Sequence, residues 1–141
     1  MGTVRIATLL MLASIALPLQ AAENINIMLQ EWRIVTDKTT VRTGKVTLAI
    51  QNRGRETHEI VLLKTDLPFD QLPLLPEGGI DEAKAGEVID EIEDVTAFSK
   101  HELTAFLKPG KYVLLCNMVE MEDNQLEQHY AMGMRLSLVV K

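Results

Sequence analysis

The run Cys116-Asn117-Met118-Val119-Glu120-Met121-Glu122-Asp123-Asn124-Gln125-Leu126-Glu127-Gln128-His129-Tyr130-Ala131-Met132-Gly133-Met134 holds the only cysteine of the chain, one of its three histidines and four of its seven methionines. Tyr112-Val113-Leu114-Leu115 leads into it, and with Cys116 makes an unbroken apolar strand-like run of five residues. Beyond it Met134, Leu136, Leu138 and Val140 alternate with other residues, the period of a strand. Two strands joined by a polar connection rich in soft donors is therefore the local reading. Thiolate, imidazole and thioether are the donors used for copper that cycles between two oxidation states. One more imidazole would complete the set, and His58 is the candidate.

Working outward, the rest of the chain is short strands separated by turns. Ile25, Ile27 and Leu29 share one face of a first strand, and Trp32 and Ile34 continue it after a shift of face. Thr36 to Thr40 is turn-like, and Gly44 marks a further turn. Val46, Leu48 and Ile50 define a second strand. It ends in Asn52-Arg53-Gly54-Arg55-Glu56-Thr57, a loop with Asn-x-Gly turn chemistry, from which His58 starts the strand running to Lys64. Val88 to Ile92 reads as a short strand, and Leu103, Ala105 and Leu107 as a longer one. Pro109-Gly110 turns the chain before Tyr112. His101, in a polar segment, reads as a surface residue. Short strands between turns, with no repeat and no long amphipathic helix, make an antiparallel β-sandwich the natural architecture.

Residues 65 to 94 interrupt the pattern. Pro68, Pro73, Pro76 and Gly78-Gly79 break it, and short helices are expected within Phe69–Leu75 and Ile80–Ala85. Ten carboxylates between Asp66 and Asp94 face Lys84 alone. Such a stretch reads first as a solvated, mobile excursion from a sheet edge, and second as an acidic face that steers a basic partner.

The N-terminus has the anatomy of a leader. Arg5 precedes the uncharged apolar run Ile6–Leu17, Pro18 ends it, and Ala21-Ala22 offers small residues for cleavage. Residues 1–22 are expected to be a signal peptide and 23–141 the functional domain, periplasmic or secreted and not integral to a membrane once cleaved. The run is too short to span a bilayer comfortably. The chain carries a formal charge of −6, so loss of Arg5 leaves the domain at −7. That charge, with few aromatic residues, argues against nucleic acid as a partner. A lone cysteine in an oxidising compartment forms no internal disulfide, so it is buried, paired with another chain or bound to metal.

Three segments together resemble one family. Asn52-Arg53-Gly54-Arg55-Glu56-Thr57-His58 looks like the Asn-x-Gly loop that leads to the first histidine ligand of the cupredoxins, the plastocyanin and azurin family of small blue copper proteins. Pro109-Gly110-Lys111-Tyr112-Val113-Leu114-Leu115-Cys116-Asn117 resembles the family's Pro-Gly-x-Tyr strand ending at the cysteine. His129-Tyr130-Ala131-Met132-Gly133-Met134 is similar to its His-x-x-x-Gly-Met motif. The resemblance spans roughly residues 24 to 141. It implies a Greek-key β-sandwich with a short helical or loop excursion, and one copper ion held by His58, Cys116, His129 and Met134. It implies a one-electron carrier working with a redox partner protein, basic if the acidic face is the docking side, and no catalysis. The chain departs from the family pattern where twelve residues separate Cys116 from His129 and the short Pro-Gly-His turn is absent. That departure leaves room for a carboxylate, Glu120 or Glu122, or for water at the metal. A copper carrier or storage module using the extra methionines, and a metal-free binding protein on the same sandwich, are the alternative functions.

Overall fold

A computed structural model describes residues 21–141, so the leader reading of residues 1–22 falls outside it but for Ala21 and Ala22. β1 (Glu23–Gln30) buries Ile25, Ile27 and Leu29, as its alternation requires. The chain then folds back at Glu31-Trp32 into β2 (Arg33–Thr36), which pairs antiparallel with β1, Ile34 opposite Leu29. This corrects the expectation of one continued strand. A hairpin puts Ile34 on the same core face, so the apolar pattern does not separate the two. β3 (Thr40–Val41) and β4 (Gly44–Asn52) follow, then β5 (His58–Lys64), the helical turn α1 (Glu82–Ala85), β6 (Glu87–Val95), β7 (Lys100–Leu107) and β8 (Gly110–Leu115). β9 (Val119–Glu122) and β10 (Gln125–Gln128) form a hairpin, α2 (His129–Met132) is a single helical turn, and β11 (Arg135–Val140) ends the chain.

Two sheets carry the fold, one in the order β2-β1-β4-β7 and the other β3-β11-β8-β5-β6. Their inner faces share one core, Ile27, Leu48 and Leu103 from the first meeting Ile60, Leu62, Leu114 and Leu138 from the second. The sheets are mixed rather than wholly antiparallel: β1 runs parallel to β4, and β3 parallel to β11. The cause is the crossing at residues 37–43. β2 reverses the chain, β3 carries it to the edge of the other sheet, and β4 returns beside β1 in the original direction.

The excursion between β5 and β6 is not a free loop. Val61, Leu63, Val113 and Leu115 project from the outer face of the five-stranded sheet, and Leu72, Ile80, Ala85 and Tyr130 cover them in a second buried cluster. Burial of those apolar side chains stabilises the segment against the sheet. α1 falls within the expected window Ile80–Ala85, capped by the Asp81 side chain accepting from Lys84 N–H. Phe69–Leu75 forms no helix. Pro73 within it and Pro76 just after it block one, and Leu74 bridges to Ile80 instead. The strand expected at Val88–Ile92 extends to Glu87–Val95 because pairing with β5, interrupted by two bulges, carries it past the apolar residues. Among the described residues no helix is long and apolar enough to cross a membrane.

Candidate metal centre

The loop before His58 is fastened from inside. Asn52 is fully buried; its side-chain amide donates to Glu56 O at 2.8 Å and Val95 O at 2.9 Å, and its Oδ1 accepts from Gly54 N–H at 2.8 Å. The short side chain closes the turn on its own backbone, the local chemistry that favours Asn in loops. His58 is thereby delivered to the start of β5 with no exposed surface. Cys116 follows directly on β8; its N–H donates to Met134 O at 3.1 Å, and its sulfur accepts from Glu59 N–H at 3.3 Å. Asn117, the next residue, pins the excursion by donating to Ile80 O at 3.2 Å and Glu82 Oε1 at 2.9 Å while accepting from Ile80 N–H.

The connection from Cys116 to Met134 is ordered by three devices. Asp123 and Asn124, both in the left-handed region at φ of 47° and 61°, turn the β9–β10 hairpin, and Val119 closes its base opposite Gln128. His129 N–H donates to Met118 O at 3.1 Å, which brings the chain back beside the cysteine. Met134 N–H then donates to His129 O at 3.0 Å, and Gly133 N–H to Tyr130 O at 3.1 Å. Gly133 sits at φ 127°, and a Cβ there would lie 2.8 Å from Trp32 O, so a side chain is excluded twice. Tyr130 locks the turn from outside: its hydroxyl donates to Phe69 O at 2.8 Å and accepts from Leu72 N–H at 3.1 Å.

All four predicted site residues are buried at this end of the molecule. His58 Nδ1 lies 3.3 Å from His129 Nδ1, and Cys116 Sγ lies 3.3 Å from the same His129 nitrogen. The three donor atoms lie within 4.8 Å of one another. Met134 is in the same core cluster as Cys116, joined to Cys116 and His129 through the backbone bonds just given. Trp32, which no motif in the sequence marks, closes the site. Its ring meets His129 edge-on at 4.8 Å between centroids and His58 at 6.3 Å. His101 is outside the site, half-buried on β7 with its Nε2 3.1 Å from Ser99 Oγ. Glu120, a candidate for the shell of the metal, approaches His129 from the far side of the ring. It lies 3.2 Å from Nε2 and with Glu127 forms a separate group. Glu122 belongs to neither group.

The donors suit a soft, redox-active cation. Burial pushes the Cys116 thiol up to about 11, against the N–H groups of Glu59 and Met118 that pull it down. Without a cation it is a protonated thiol at neutral pH, and binding as thiolate releases that proton. Burial, and then the His129 ring, lower the His58 imidazole below its ordinary value of 6.5, which keeps its lone pair available. Two imidazoles and a thiolate, all three buried, are donors that blue-copper electron-transfer sites use. The residues present therefore fit one copper ion.

No family model and no curated protein sequence matches the chain. Solved structures do. Reduced auracyanin from the photosynthetic bacterium Roseiflexus castenholzii superposes with a TM-score of 0.57 at 22% identity, over 86% of this chain and 99% of that one. Auracyanin A, a "blue" copper protein from Chloroflexus aurantiacus, gives 0.56 at 18% identity over 86% and 100%. Rusticyanin from Thiobacillus ferrooxidans gives 0.60 at 14% identity over 85% and 77%. At such identities the likeness speaks for the fold, and the fold of this chain is the cupredoxin β-sandwich.

Proposed function

We propose that this chain is an exported one-electron carrier holding a single copper ion through His58, Cys116, His129 and Met134. The observation that carries the reading is the meeting of His58 Nδ1, His129 Nδ1 and Cys116 Sγ in one buried cluster, two of the contacts at 3.3 Å. Bound there, copper supplies a centre that gains or loses one electron without a proton. The chain's own residues do the rest. Cys116 would give the thiolate, the two histidines would serve either oxidation state, and Met134, in the same core cluster as Cys116, would give a weak thioether. β5, β8 and β11 are neighbours in one sheet, so ladder hydrogen bonds restrain the residues at their ends, which should keep their movement small on electron gain or loss. Trp32 and the hairpin keep water from the donors.

Burial of all four residues favours an electron carrier over a copper carrier or storage module. A cargo site must release its ion, whereas an electron crosses a closed shell. Export is supported by the leader pattern of residues 1–22 and by a lone cysteine suited to metal in an oxidising compartment. The hairpin over His129 bears Glu120, Glu122, Asp123 and Glu127 and no basic side chain, with Met121 and Leu126 paired and exposed between them. An apolar contact ringed by carboxylates suits a basic redox protein. Cyclic voltammetry of the copper-loaded domain tests the choice. A fast, reversible one-electron response is expected; slow exchange with ready loss of cuprous ion to a chelator would favour the storage reading.

A further inference from the structure

Each of the two imidazoles turns Nδ1 toward the shared donor centre, which leaves Nε2 facing outward. Both Nε2 atoms are buried, and neither has a hydrogen-bond partner. An orphaned ring nitrogen is costly in a closed interior, and two in one site call for a reason. Each has a carboxylate close by: Glu31 Oε1 is 3.6 Å from His58 Nε2, and Glu120 Oε1 is 3.2 Å from His129 Nε2. The first contact is just too long for a hydrogen bond, and the second is in range but off-axis.

Glu31 is not there by chance of a surface rotamer. Its Oε1 accepts from Arg55 N–H at 2.7 Å and from Glu56 N–H at 3.0 Å, so the loop that delivers His58 also fixes the carboxylate. Gly54 makes the space, because a Cβ at position 54 would overlap the Glu31 carboxylate. The Asn-x-Gly loop thus does two things: Asn52 closes it, and Gly54 admits an acid from the β1–β2 turn. Glu120 is placed differently. Opposite Glu127 in the β9–β10 register, it reaches His129 from the hairpin.

We propose that Glu31 and Glu120 are positioning residues for the two histidines, each accepting a hydrogen bond from ring Nε2–H when Nδ1 is committed to the metal. The proposal rests on the copper reading for the identity of that metal. A ring that ligates through Nδ1 as a neutral imidazole carries its proton on Nε2, and a carboxylate is the acceptor that fixes both tautomer and ring plane. It also makes the imidazole a stronger donor, which favours the cupric over the cuprous state. Glu120, Glu127 and His129 also lie close enough together to hold a second cation. His129 would then have to lose both ring protons to ligate through both nitrogens, whereas donation to Glu120 leaves it neutral.

Glu31→Gln and Glu120→Gln are each expected to weaken cupric binding about 10- to 100-fold, the usual cost of losing such a partner. Cuprous binding falls less, so the reduction potential rises by about 59 mV for each tenfold difference between the two. Gly54→Ala expels the Glu31 carboxylate without changing charge and moves the potential the same way as Glu31→Gln. Glu122→Gln removes the same charge from the hairpin and changes cupric affinity less than about twofold, since an exposed charge away from the donors is screened. In the diamagnetic cuprous form, nuclear magnetic resonance should show slowly exchanging Nε2–H protons on both histidines, with His58's lost in Glu31→Gln and His129's in Glu120→Gln. Unchanged ring protons and unchanged cupric affinity in these variants would overturn the proposal, as would a second equivalent of zinc bound by the wild type and lost in Glu120→Gln. A wild-type chain that takes up no copper fails the functional reading instead. The ring tautomers of the metal-free chain then decide the carboxylate roles, Nε2-protonated rings being the expected result and Nδ1-protonated rings the contrary one.

Discussion

His58 begins a strand that pairs on both sides, with β6 and β8, and the loop before it is stitched by Asn52 and by Glu31. His129 begins a single helical turn reached through a hairpin that joins neither sheet. One imidazole is thus seated by long-range pairing, and the other by a local turn tied down at Met118, Tyr130 and Gly133. The contrast teaches that the donor cluster has a preset half and a fastened half. Cys116 belongs to the first, since it continues β8 and hydrogen-bonds across to β5.

Breaking the preset half should cost most. Asn52→Ala strands Glu56 O, Val95 O and Gly54 N–H in a buried place, a loss of about 3 kcal/mol in global stability of the metal-free chain by urea titration. Next comes alkaline pH. The folded chain holds the Cys116 proton to about 11, above the ordinary 9.0, so the unfolded chain loses it first. That contribution is complete below pH 9 and is lost as pH rises from 9 to 11, by about 2 to 3 kcal/mol. Comparison of metal-free wild type with Cys116→Ala isolates it: the extra alkaline loss is expected in the wild type and not in the variant. The fastened half should respond locally and least. Asn124→Ala keeps φ near 61° without a side chain suited to it, and opens the hairpin by about 1 kcal/mol. Hydrogen exchange at Val119–Gln128 should rise about fivefold while the urea midpoint holds. A large fall in global stability would show the two halves to be one unit.

The same contrast accounts for what is legible in the sequence. Strands with strict alternation, Ile25-Ile27-Leu29 and Val46-Leu48-Ile50, announce themselves because one face is apolar and the other is not. His58, Cys116 and His129 are legible because soft donors stand at strand ends and in a long connection, where packing alone gives them little to do. Met134 is legible through its motif. The parallel pairing of β1 with β4 is not, since alternation is blind to strand direction, and neither is the fold-back at Glu31-Trp32. The acidic excursion hides its packing because Leu72, Ile80 and Ala85 are scattered among charges, and no period links them to the outer face of a sheet. The hairpin is within reach of sequence reasoning: Asp123-Asn124 at the midpoint of two equal runs is turn chemistry. The role of Glu31 is not, because it depends on an atom-scale fit beneath Gly54.

The most direct test of the copper centre is the visible absorption spectrum of the domain on adding one equivalent of cupric ion, for the wild type and for Cys116→Ala. The wild type should develop an intense thiolate-to-copper band that saturates at one ion per chain, and Cys116→Ala should show none. Cupric ion bound equally tightly by both, with no such band in either, would contradict a site built on His58, Cys116, His129 and Met134.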